Sequence, residues 1–214
     1  MTPSSEPGAQ HMGLLWTLRL DGSLPPACAS RIPATFQLAG PEVAGDLASV
    51  MGFDDPAPVL RRFHLGKQCY IARIEGRIVT YGWITFDEEL IGGLGLRVRL
   101  LTGEAYIWDC ATLPSYRGQR LYPALLAHMQ RELQRAGLWR AWIGMDVDNL
   151  PSQAGVARAG FQPIIDILQI RNTATRTFLA HGHPSASVED VQAAQYALFG
   201  DRETSRFALP EAGA

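Results

Sequence analysis

Residues 106–126 constrain the fold more than any other stretch of this chain. An apolar strand pattern runs to Thr112, a corner with Pro114 follows, and a short basic loop then leads into an amphipathic helix. This order leaves free backbone N–H groups at a helix start, where the helix dipole is positive. Such a position binds anions, and Arg117 and Arg120 add positive charge beside it. The stretch therefore predicts a phosphate or diphosphate site.

Hydrophobic periodicity predicts strands and helices along most of the chain. The clearest element is a helix over residues 121–135, where apolar residues recur at helix spacing, Pro123 fits the first turn and Gly137 gives a stop. The other patterns predict strands over 13–20, 35–38, 96–101, 104–111, 141–147 and 164–170, a hairpin over 69–86, and helices near 41–51, 59–65, 150–159 and 188–199. Hairpins followed by alternating strands and helices indicate a mixed α/β fold.

The predicted anion site resembles motif A of the GNAT N-acetyltransferase superfamily, in which a strand and a Pro-x-Tyr-Arg-Gly corner precede a glycine-rich helix start. The matching residues are Pro114, Tyr116, Arg117, Gly118 and Gln119. The two later glycines of the motif are replaced by Arg120 and Tyr122, although glycine lets a backbone approach a diphosphate closely. Arg120 could instead bond to a phosphate oxygen, and Tyr122 could lie along the coenzyme or pack.

A second part of the resemblance is motif B, in which Asn precedes a helix that is closed by Gly-Phe. Asn149 and the pair Gly160-Phe161 match it. The resemblance covers about residues 35–171, and its specific part is about 104–161. It implies an α/β (α+β) fold of the GNAT type, with a mixed, mostly antiparallel central sheet flanked by helices.

The same resemblance suggests three parts of the chain. We expect residues 1–33 to form an N-terminal extension with one strand, and residues 34–172 to form the GNAT-like acyltransferase domain. Residues 173–214 would form a C-terminal extension with one helix. The narrow apolar face of that helix must be buried, either on the domain or on a second subunit.

The resemblance implies an enzyme that moves an acetyl group from acetyl-CoA, or another acyl-CoA, directly to a small primary amine. Such a transfer needs a neutral amine, a correctly held carbonyl and a proton donor for the leaving thiolate. Two alternatives remain open. The chain could be a non-catalytic acyl-CoA-binding or interaction module of the same fold, or it could transfer a longer acyl group because Tyr122 reshapes the coenzyme groove.

By position, the resemblance assigns coenzyme contacts to the end of one strand, to the loop that follows it and to the next helix start. The exposed amides of the strand would hold the pantetheine arm and polarise the thioester carbonyl. The assigned residues are Cys110, Ala111, Thr112, Arg117, Gly118, Gln119, Arg120, Leu121, Tyr122, Asn149 and Ser152.

Candidate catalytic residues lie on the same strand: Glu104, Tyr106 and Asp109. Alternation puts Glu104 on the face of Tyr106 and Trp108, whereas Asp109 points to the other face unless a bulge intervenes. A carboxylate beside these aromatic rings could have a raised pKa and accept a proton through water. The position of the family's tyrosine proton donor holds Val156, so the donor here is Tyr106, Tyr122, water or none.

Composition limits the other classes of function. The net charge of −2 and the scattered basic residues do not favour a nucleic-acid partner. Three cysteines far apart indicate reduced thiols, and no Cys/His grouping has the spacing of a metal site. No apolar stretch approaches the roughly 20 residues of a membrane span, and the start lacks a signal-peptide pattern. We expect a cytoplasmic protein with no metal and no membrane partner. Only the family resemblance suggests a homodimer.

Overall fold

The computed structural model describes residues 8–91, 94–171, 175–200 and 205–208. Within these ranges the elements in chain order are β1 (Ala9–Arg19), β2 (Thr35–Ala39), α1 (Ala44–Met51), α2 (Ala57–His64), β3 (Gln68–Ile74), β4 (Arg77–Thr85), β5 (Glu88–Ile91), β6 (Leu96–Arg99), β7 (Glu104–Thr112), α3 (Leu121–Arg135), β8 (Arg140–Asp146), α4 (Leu150–Arg158), β9 (Gln162–Arg171), β10 (Thr175–Gly182), α5 (Val188–Phe199) and β11 (Ser205–Ala208). The elements predicted from hydrophobic periodicity up to residue 170 are present within a few residues of their predicted bounds.

In the described part of the chain, nine strands form one sheet in the order β11-β10-β9-β1-β8-β7-β4-β3-β2. Its neighbours pair antiparallel, except that β7 and β8 run parallel. Helices flank this sheet, and β5 and β6 form a separate antiparallel hairpin. The predicted fold class, a mixed and mostly antiparallel sheet flanked by helices, is confirmed.

Strand β1 lies inside the sheet, between β8 and β9. Leu14 and Trp16 pack in the cluster that lies against α3, as the strand pattern predicts, while Leu15 packs in the cluster on the opposite face. Because both faces of β1 are covered, this first strand is a structural part of the core.

Helix α3 has the predicted bounds and covers the sheet beside β7. Leu125, Leu126, Met129 and Leu133 are buried in one cluster with residues of β1, β7 and β8. The apolar stripe read from the sequence is therefore the face that packs, and it fixes the start of α3 next to the end of β7.

The chain after Arg171 holds more structure than the sequence pattern predicts. Besides the predicted helix, β10 pairs with β9, and β11 pairs with β10. Their pattern is weak because these strands extend an existing sheet, so pairing with a neighbour stabilises them more than local propensity does. The predicted helix is therefore present as α5, and two strands that the sequence did not predict accompany it.

Helix α5 docks on the chain that carries it. Ser187 caps its start by accepting a hydrogen bond from the N–H of Asp190 at 3.1 Å. Ala194, Leu198 and Phe199 are buried against the sheet and the β5–β6 hairpin. Of the two docking alternatives raised by the sequence, the structure shows the first.

Candidate active site

The candidate site lies where β7 and β8 separate. Their parallel pairing ends at Ile107 opposite Ile143, while β7 continues to Thr112 and β8 to Asp146. On its other side β7 stays paired with β4 as far as Thr80 opposite Thr112. A wedge-shaped opening therefore begins at this point, and β8 leaves one edge of β7 unpaired there.

A β-bulge turns the next residues of β7 toward this opening. The register between β4 and β7 shifts by one residue between Tyr81 and Trp83. Asp109 lies in the bulge with a φ of 42°, a left-handed conformation that is uncommon for residues other than glycine. An added Cβ at Gly82, opposite the bulge, would lie 2.7 Å from Cys110 Sγ. This is the bulge on which the sequence prediction for Asp109 depended.

Two cavities meet at the opening. The helix-side cavity, about 550 Å³, is lined by the end of β7, the loop before α3, the first turn of α3 and one side of α4, including Ala111, Arg117, Arg120 and Arg158. The hairpin-side cavity, about 490 Å³, is lined by β5, β7 and β8, including Glu89, Trp108, Asp109 and Asp146. Cys110, Tyr122, Asn149 and Ser152 line both cavities. These four residues define one shared junction.

The loop before α3 carries backbone amides beside the helix-side cavity, which Gly118 and Arg120 of this loop line. Gly118 and Arg120 have φ values of 77° and 58°, and α3 begins at Leu121. Glycine adopts this left-handed conformation freely, whereas Arg120 does so against the preference of a residue with a side chain. Among the described residues, the N–H groups of Gln119 and Arg120 have no backbone acceptor. Because they lie at the positive end of α3, they can bind an anion.

Tyr122 fills part of the junction from the first turn of α3. An added Cβ at Gly155 would lie 2.6 Å from the Tyr122 ring, so the ring lies directly against α4. The Tyr122 hydroxyl lies 3.3 Å from Ser152 Oγ, and burial raises its pKa. Asn149 caps α4 by accepting a hydrogen bond from the N–H of Ser152 at 3.2 Å, which fixes Ser152 in place. Tyr122 thus packs and also reaches both cavities.

The family comparison agrees with this geometry. The model of the acetyltransferase (GNAT) family matches residues 49–161, more than half of the chain. The chain belongs to the GNAT acetyltransferase family. The resemblance carried by motifs A and B is thereby confirmed. A comparison with curated proteins gave no match.

Solved structures share the fold of this GNAT protein. An acetyltransferase of the GNAT family from Colwellia psychrerythraea superimposes with a TM-score of 0.52 at 15% identity, covering 72% of this chain and 53% of that chain. A GCN5-related N-acetyltransferase from Sphaerobacter thermophilus has a TM-score of 0.51 at 16% identity, with coverages of 73% and 50%. The chain spans about half the length of these two proteins.

A third solved structure covers less of this chain but nearly all of its own. AAC(6')-Iy, an aminoglycoside N-acetyltransferase, was solved in complex with the bisubstrate analog CoA-S-monomethyl-acetylneamine. It has a TM-score of 0.50 at 15% identity, and covers 61% of this chain and 92% of that chain. At identities this low, the three likenesses show the shared fold alone.

Most residues that the sequence assigns to the coenzyme lie together in this GNAT protein. The helix-side cavity is lined by Cys110, Ala111, Thr112, Arg117, Gly118, Arg120, Leu121, Tyr122, Asn149 and Ser152. Gln119 is not among the lining residues; its carbonyl oxygen instead accepts a hydrogen bond from the N–H of Arg31 at 2.8 Å. Arg158, which the sequence analysis did not single out, adds a third arginine to this cavity.

Glu104, one of the two predicted carboxylates, does not reach either cavity. It is 2% exposed at the start of β7, accepts a hydrogen bond from the N–H of Leu101 at 3.1 Å, and lies 3.9 Å from Arg140 Nη1. Arg140 also pairs with Asp190 of α5 at 3.0 Å. Glu104 lies about 16 Å along β7 from Asp109. Its position is that of a buried ion-pair network between the sheet and α5.

Asp109, the second predicted carboxylate, faces the hairpin-side cavity. Its Oδ2 lies 2.5 Å from Arg62 Nη1, and the Tyr81 hydroxyl lies 3.4 Å from its Oδ1. The Arg62 guanidinium is held over the rings of Trp83 and Trp108, at 5.1 and 4.6 Å from the ring centroids. Asp109 is therefore held in one orientation at the edge of the junction, and its side chain is one third exposed.

Two other predicted residues have raised pKa values. Tyr106 is 2% exposed and lines the hairpin-side cavity, and burial raises the pKa of its hydroxyl. An added Cβ at Gly144 would lie 2.8 Å from that hydroxyl, so Tyr106 closes the narrow end of the opening. Burial also raises the pKa of Cys110, which keeps its thiol protonated and therefore a weak nucleophile.

The sequence analysis missed two carboxylates of the hairpin-side cavity. Glu89 lies on β5, where no pattern drew attention to it, and its Oε2 lies 3.0 Å from Lys67 Nζ. Asp146 ends β8, and its position becomes meaningful only once β8 is known to separate from β7. The sequence did contain a signal for Asp146. It ends a strand three residues before the motif-B residue Asn149, so it lies at the same edge of the sheet as Asn149.

No helix in the described ranges is both long and apolar enough to cross a membrane. The described side chains also contain no group of three or more His, Cys, Asp or Glu residues arranged to hold a metal ion.

Proposed function

We propose that this GNAT protein transfers an acetyl group from acetyl-CoA directly to a small primary amine. The observation that carries the proposal is the shared junction between the two cavities. A thioester lying in the helix-side cavity would present its carbonyl at the junction, and an amine in the hairpin-side cavity would approach that carbonyl from the other side. Holding both reactants this way supplies much of the rate increase of a bimolecular transfer.

The helix-side cavity suits a diphosphate followed by a pantetheine arm. The N–H groups of Gln119 and Arg120 lack backbone acceptors among the described residues, and they lie at the positive end of α3. Arg117, Arg120 and Arg158 add positive charge around them. The unpaired edge of β7, from Cys110 to Thr112, leads from this anion site to the junction and is the surface along which the arm would lie.

The hairpin-side cavity suits a cationic amine. Its described lining contains the carboxylates Glu89, Asp109 and Asp146, and no Lys, Arg or His. Arg62 and Lys67 pair with Asp109 and Glu89 from outside the lining, whereas Asp146 has no ion-pair partner among the described residues, so the cavity favours a cation over a carboxylated acceptor. The aliphatic side chains of Ile91 and Ile143 in the same lining would contact the carbon chain of a small amine.

Asp109 is the proposed base. The bound ammonium group first loses one proton to solvent, and the neutral nitrogen attacks the thioester carbonyl carbon to form a C–N bond. The nitrogen then loses its second proton to Asp109, directly or through water. Asp109 is suited to this role because the bulge directs it into the hairpin-side cavity beside the junction, whereas Glu104 is enclosed in its ion pair. The strained φ of Asp109 is typical of a functional residue.

Tyr122 is the proposed acid. As the C–S bond breaks, the thiolate of CoA takes the hydroxyl proton of Tyr122, and the tyrosinate regains a proton from solvent through Ser152 Oγ, 3.3 Å away. The products are the N-acetyl amine and CoA with a free thiol. Val156, at the position of the family's tyrosine, is fully buried in the core, so a hydroxyl from α3 stands in for one from α4.

The proposal is tested by binding and turnover measured separately. Acetyl-CoA should bind in a calorimetric titration, and mixing it with a panel of small primary amines should release free thiol only when protein and amine are both present. Failure to bind acetyl-CoA at millimolar ligand would overturn the coenzyme assignment. Binding without thiol release across the panel would overturn catalysis.

The second outcome would favour the other candidate, a non-catalytic acyl-CoA-binding module. One observation supports that candidate, because the Asp109 carboxylate already pairs with Arg62 and Tyr81. The alternative of a longer acyl group has less support, since Tyr122 fills part of the junction and does not widen it.

A further inference from the structure

The linker between β1 and β2, residues 20–34, crosses over the helices that frame the helix-side cavity. It lies outside residues 49–161, the part that the family model matches. At its start, Gln134 of α3 donates hydrogen bonds from Nε2 to the carbonyl oxygens of Leu20 and Gly22, at 2.6 and 2.8 Å. The linker is thus anchored to the far end of α3 before it turns back toward the start of that helix.

A second anchor holds the middle of the β1–β2 linker against the end of α4. An added Cβ at Gly160 would lie 2.2 Å from Pro25 Cγ, so Pro25 rests directly on the backbone there. Leu24 packs against the core cluster beneath α3 and α4. Because these contacts fix the path of the linker, the position of its last residues is determined by the helices that it crosses.

Arg31, near the end of the linker, contacts the anion-binding loop twice. Its backbone N–H donates to the carbonyl oxygen of Gln119 at 2.8 Å. Its side-chain Nη1 donates to the carbonyl oxygen of Gly118 at 3.2 Å. One residue therefore holds the carbonyls of two successive peptide groups in the loop.

The geometry of the peptide group links these carbonyl contacts to the direction of the neighbouring N–H groups. The peptide groups are trans, with no cis bond among the described residues, so a carbonyl oxygen and the N–H of the next residue point in opposite directions. Drawing the Gly118 carbonyl toward Arg31 therefore directs the N–H of Gln119 away from the linker. Drawing the Gln119 carbonyl toward Arg31 does the same for the N–H of Arg120.

The loop needs such support because of the residue at position 120. A left-handed conformation is unfavourable for a residue with a side chain, and it persists where the surroundings fix it. Arg120 has this conformation between a peptide held by Arg31 and the first turn of α3. The contacts of Arg31 thus compensate for an arginine at a position that favours glycine.

We propose that Arg31 is a positioning residue, which presets the loop so that the amides of Gln119 and Arg120 face a diphosphate. This inference rests on the proposed function, since it concerns the site assigned there to CoA. Arg31 is not among the residues that line the helix-side cavity, and the proposed effect passes through the carbonyls of the loop that it holds. Its effect is therefore limited to donors that contain a diphosphate.

The experiment compares Arg31→Met and Arg31→Lys with the unchanged protein, using two acetyl donors. Acetyl-CoA contains the diphosphate, whereas S-acetylpantetheine ends before it. We expect Arg31→Met to raise KM for acetyl-CoA roughly tenfold with little change in kcat, because the loop must be ordered at the cost of binding energy. The KM for S-acetylpantetheine should not change, and Arg31→Lys, which keeps a donor, should restore part of the loss.

Arg135→Met is the matched control, since it removes an exposed arginine at the other end of α3, about 20 Å from the loop. An equal loss with both donors would show a general structural defect and overturn the proposal. A loss that Arg135→Met reproduces, or that high salt abolishes, would indicate long-range attraction and also overturn it. If the unchanged protein binds no acetyl-CoA, the proposed function fails first, and that result differs from each of these.

Discussion

The two cavities at the junction differ in how the chain builds them. The helix-side cavity is formed by two short stretches, one from the end of β7 to the start of α3, and the other from Asn149 along α4 to Arg158. The hairpin-side cavity takes residues from β5, β7 and β8, and α2 supplies the arginine behind it. One side is encoded locally, and the other arises only when distant strands meet. A local motif suits a ligand that stays the same, whereas dispersed residues can change with the acceptor.

The two cavities also differ in charge. Arginines surround the helix-side cavity, and carboxylates line the hairpin-side cavity. An anionic coenzyme and a cationic amine would thus each be attracted to its own side, and the neutral, narrow junction with Tyr122 and Cys110 would separate them.

The largest effect is expected on the hairpin side. Asp109→Asn should lower kcat by roughly a hundredfold or more at saturating substrates, since it removes the proposed base. Initial rates of thiol release measure this directly. Glu104→Gln is the matched control: it should leave kcat unchanged but lower the free energy of unfolding by about 1–3 kcal/mol, because Arg140 loses a buried charged partner. Full activity of Asp109→Asn would show that Asp109 is not the base.

A smaller effect is expected at the junction. Tyr122→Phe should lower kcat roughly tenfold to a hundredfold while the KM for acetyl-CoA changes little, since only the proton donor is lost. Because burial raises the pKa of Tyr122, its hydroxyl stays protonated as pH rises, so the rate of the unchanged protein should show no alkaline decline from this group. A pH–rate profile of both proteins measures this, with the exposed Tyr196→Phe as the control. A loss that appears only in KM would assign Tyr122 to binding.

The same contrast explains how far the sequence could predict the structure. The bounds of α3, the start of α4 after Asn149 and the loop before α3 follow from local signals, because caps, apolar stripes and motif residues act within a few positions. Asp109 was identified only conditionally, since its direction depends on a bulge that pairing with β4 creates. The geometry does not favour Glu104 as a site residue, because alternation gives its face of the strand but not the point at which β8 separates from β7.

The residues that the sequence missed belong to the dispersed side. Glu89 and Asp146 meet only through the packing of the β5–β6 hairpin over β7 and β8. The placement of β1 between β8 and β9 is likewise a long-range choice, since the pattern of β1 predicts a strand but not its neighbours. Strand pairing partners are set by the whole sheet, so local periodicity does not determine them.

The charge of the hairpin-side cavity predicts acceptor preference. Cadaverine should have a higher kcat/KM than pentylamine, and pentylamine a higher value than the amino acid of the same chain length, because Asp146, the lining carboxylate without a described ion-pair partner, favours a second positive charge and opposes a negative one. Asp146→Asn should reduce the preference for the diamine several-fold, a modest effect because Asp146 is exposed. A preference for the amino acid would contradict the assignment of this cavity to a cationic amine.

The smallest effect is expected on stability at the helix side. Arg120→Gly should raise the free energy of unfolding by about 0.5–1 kcal/mol. Glycine relieves the left-handed strain, and the greater conformational freedom of glycine in the unfolded chain offsets part of that stabilisation. Glu75→Gly is the matched control, because Glu75 has a φ of 49° in the β3–β4 turn. Urea unfolding should show similar gains in the free energy of unfolding for both variants.

Calorimetry should then show that only Arg120→Gly changes CoA affinity, since it alone removes a cation from the helix-side cavity while allowing closer approach to the backbone. Equal affinities in the two variants would mean that the diphosphate does not lie against this loop.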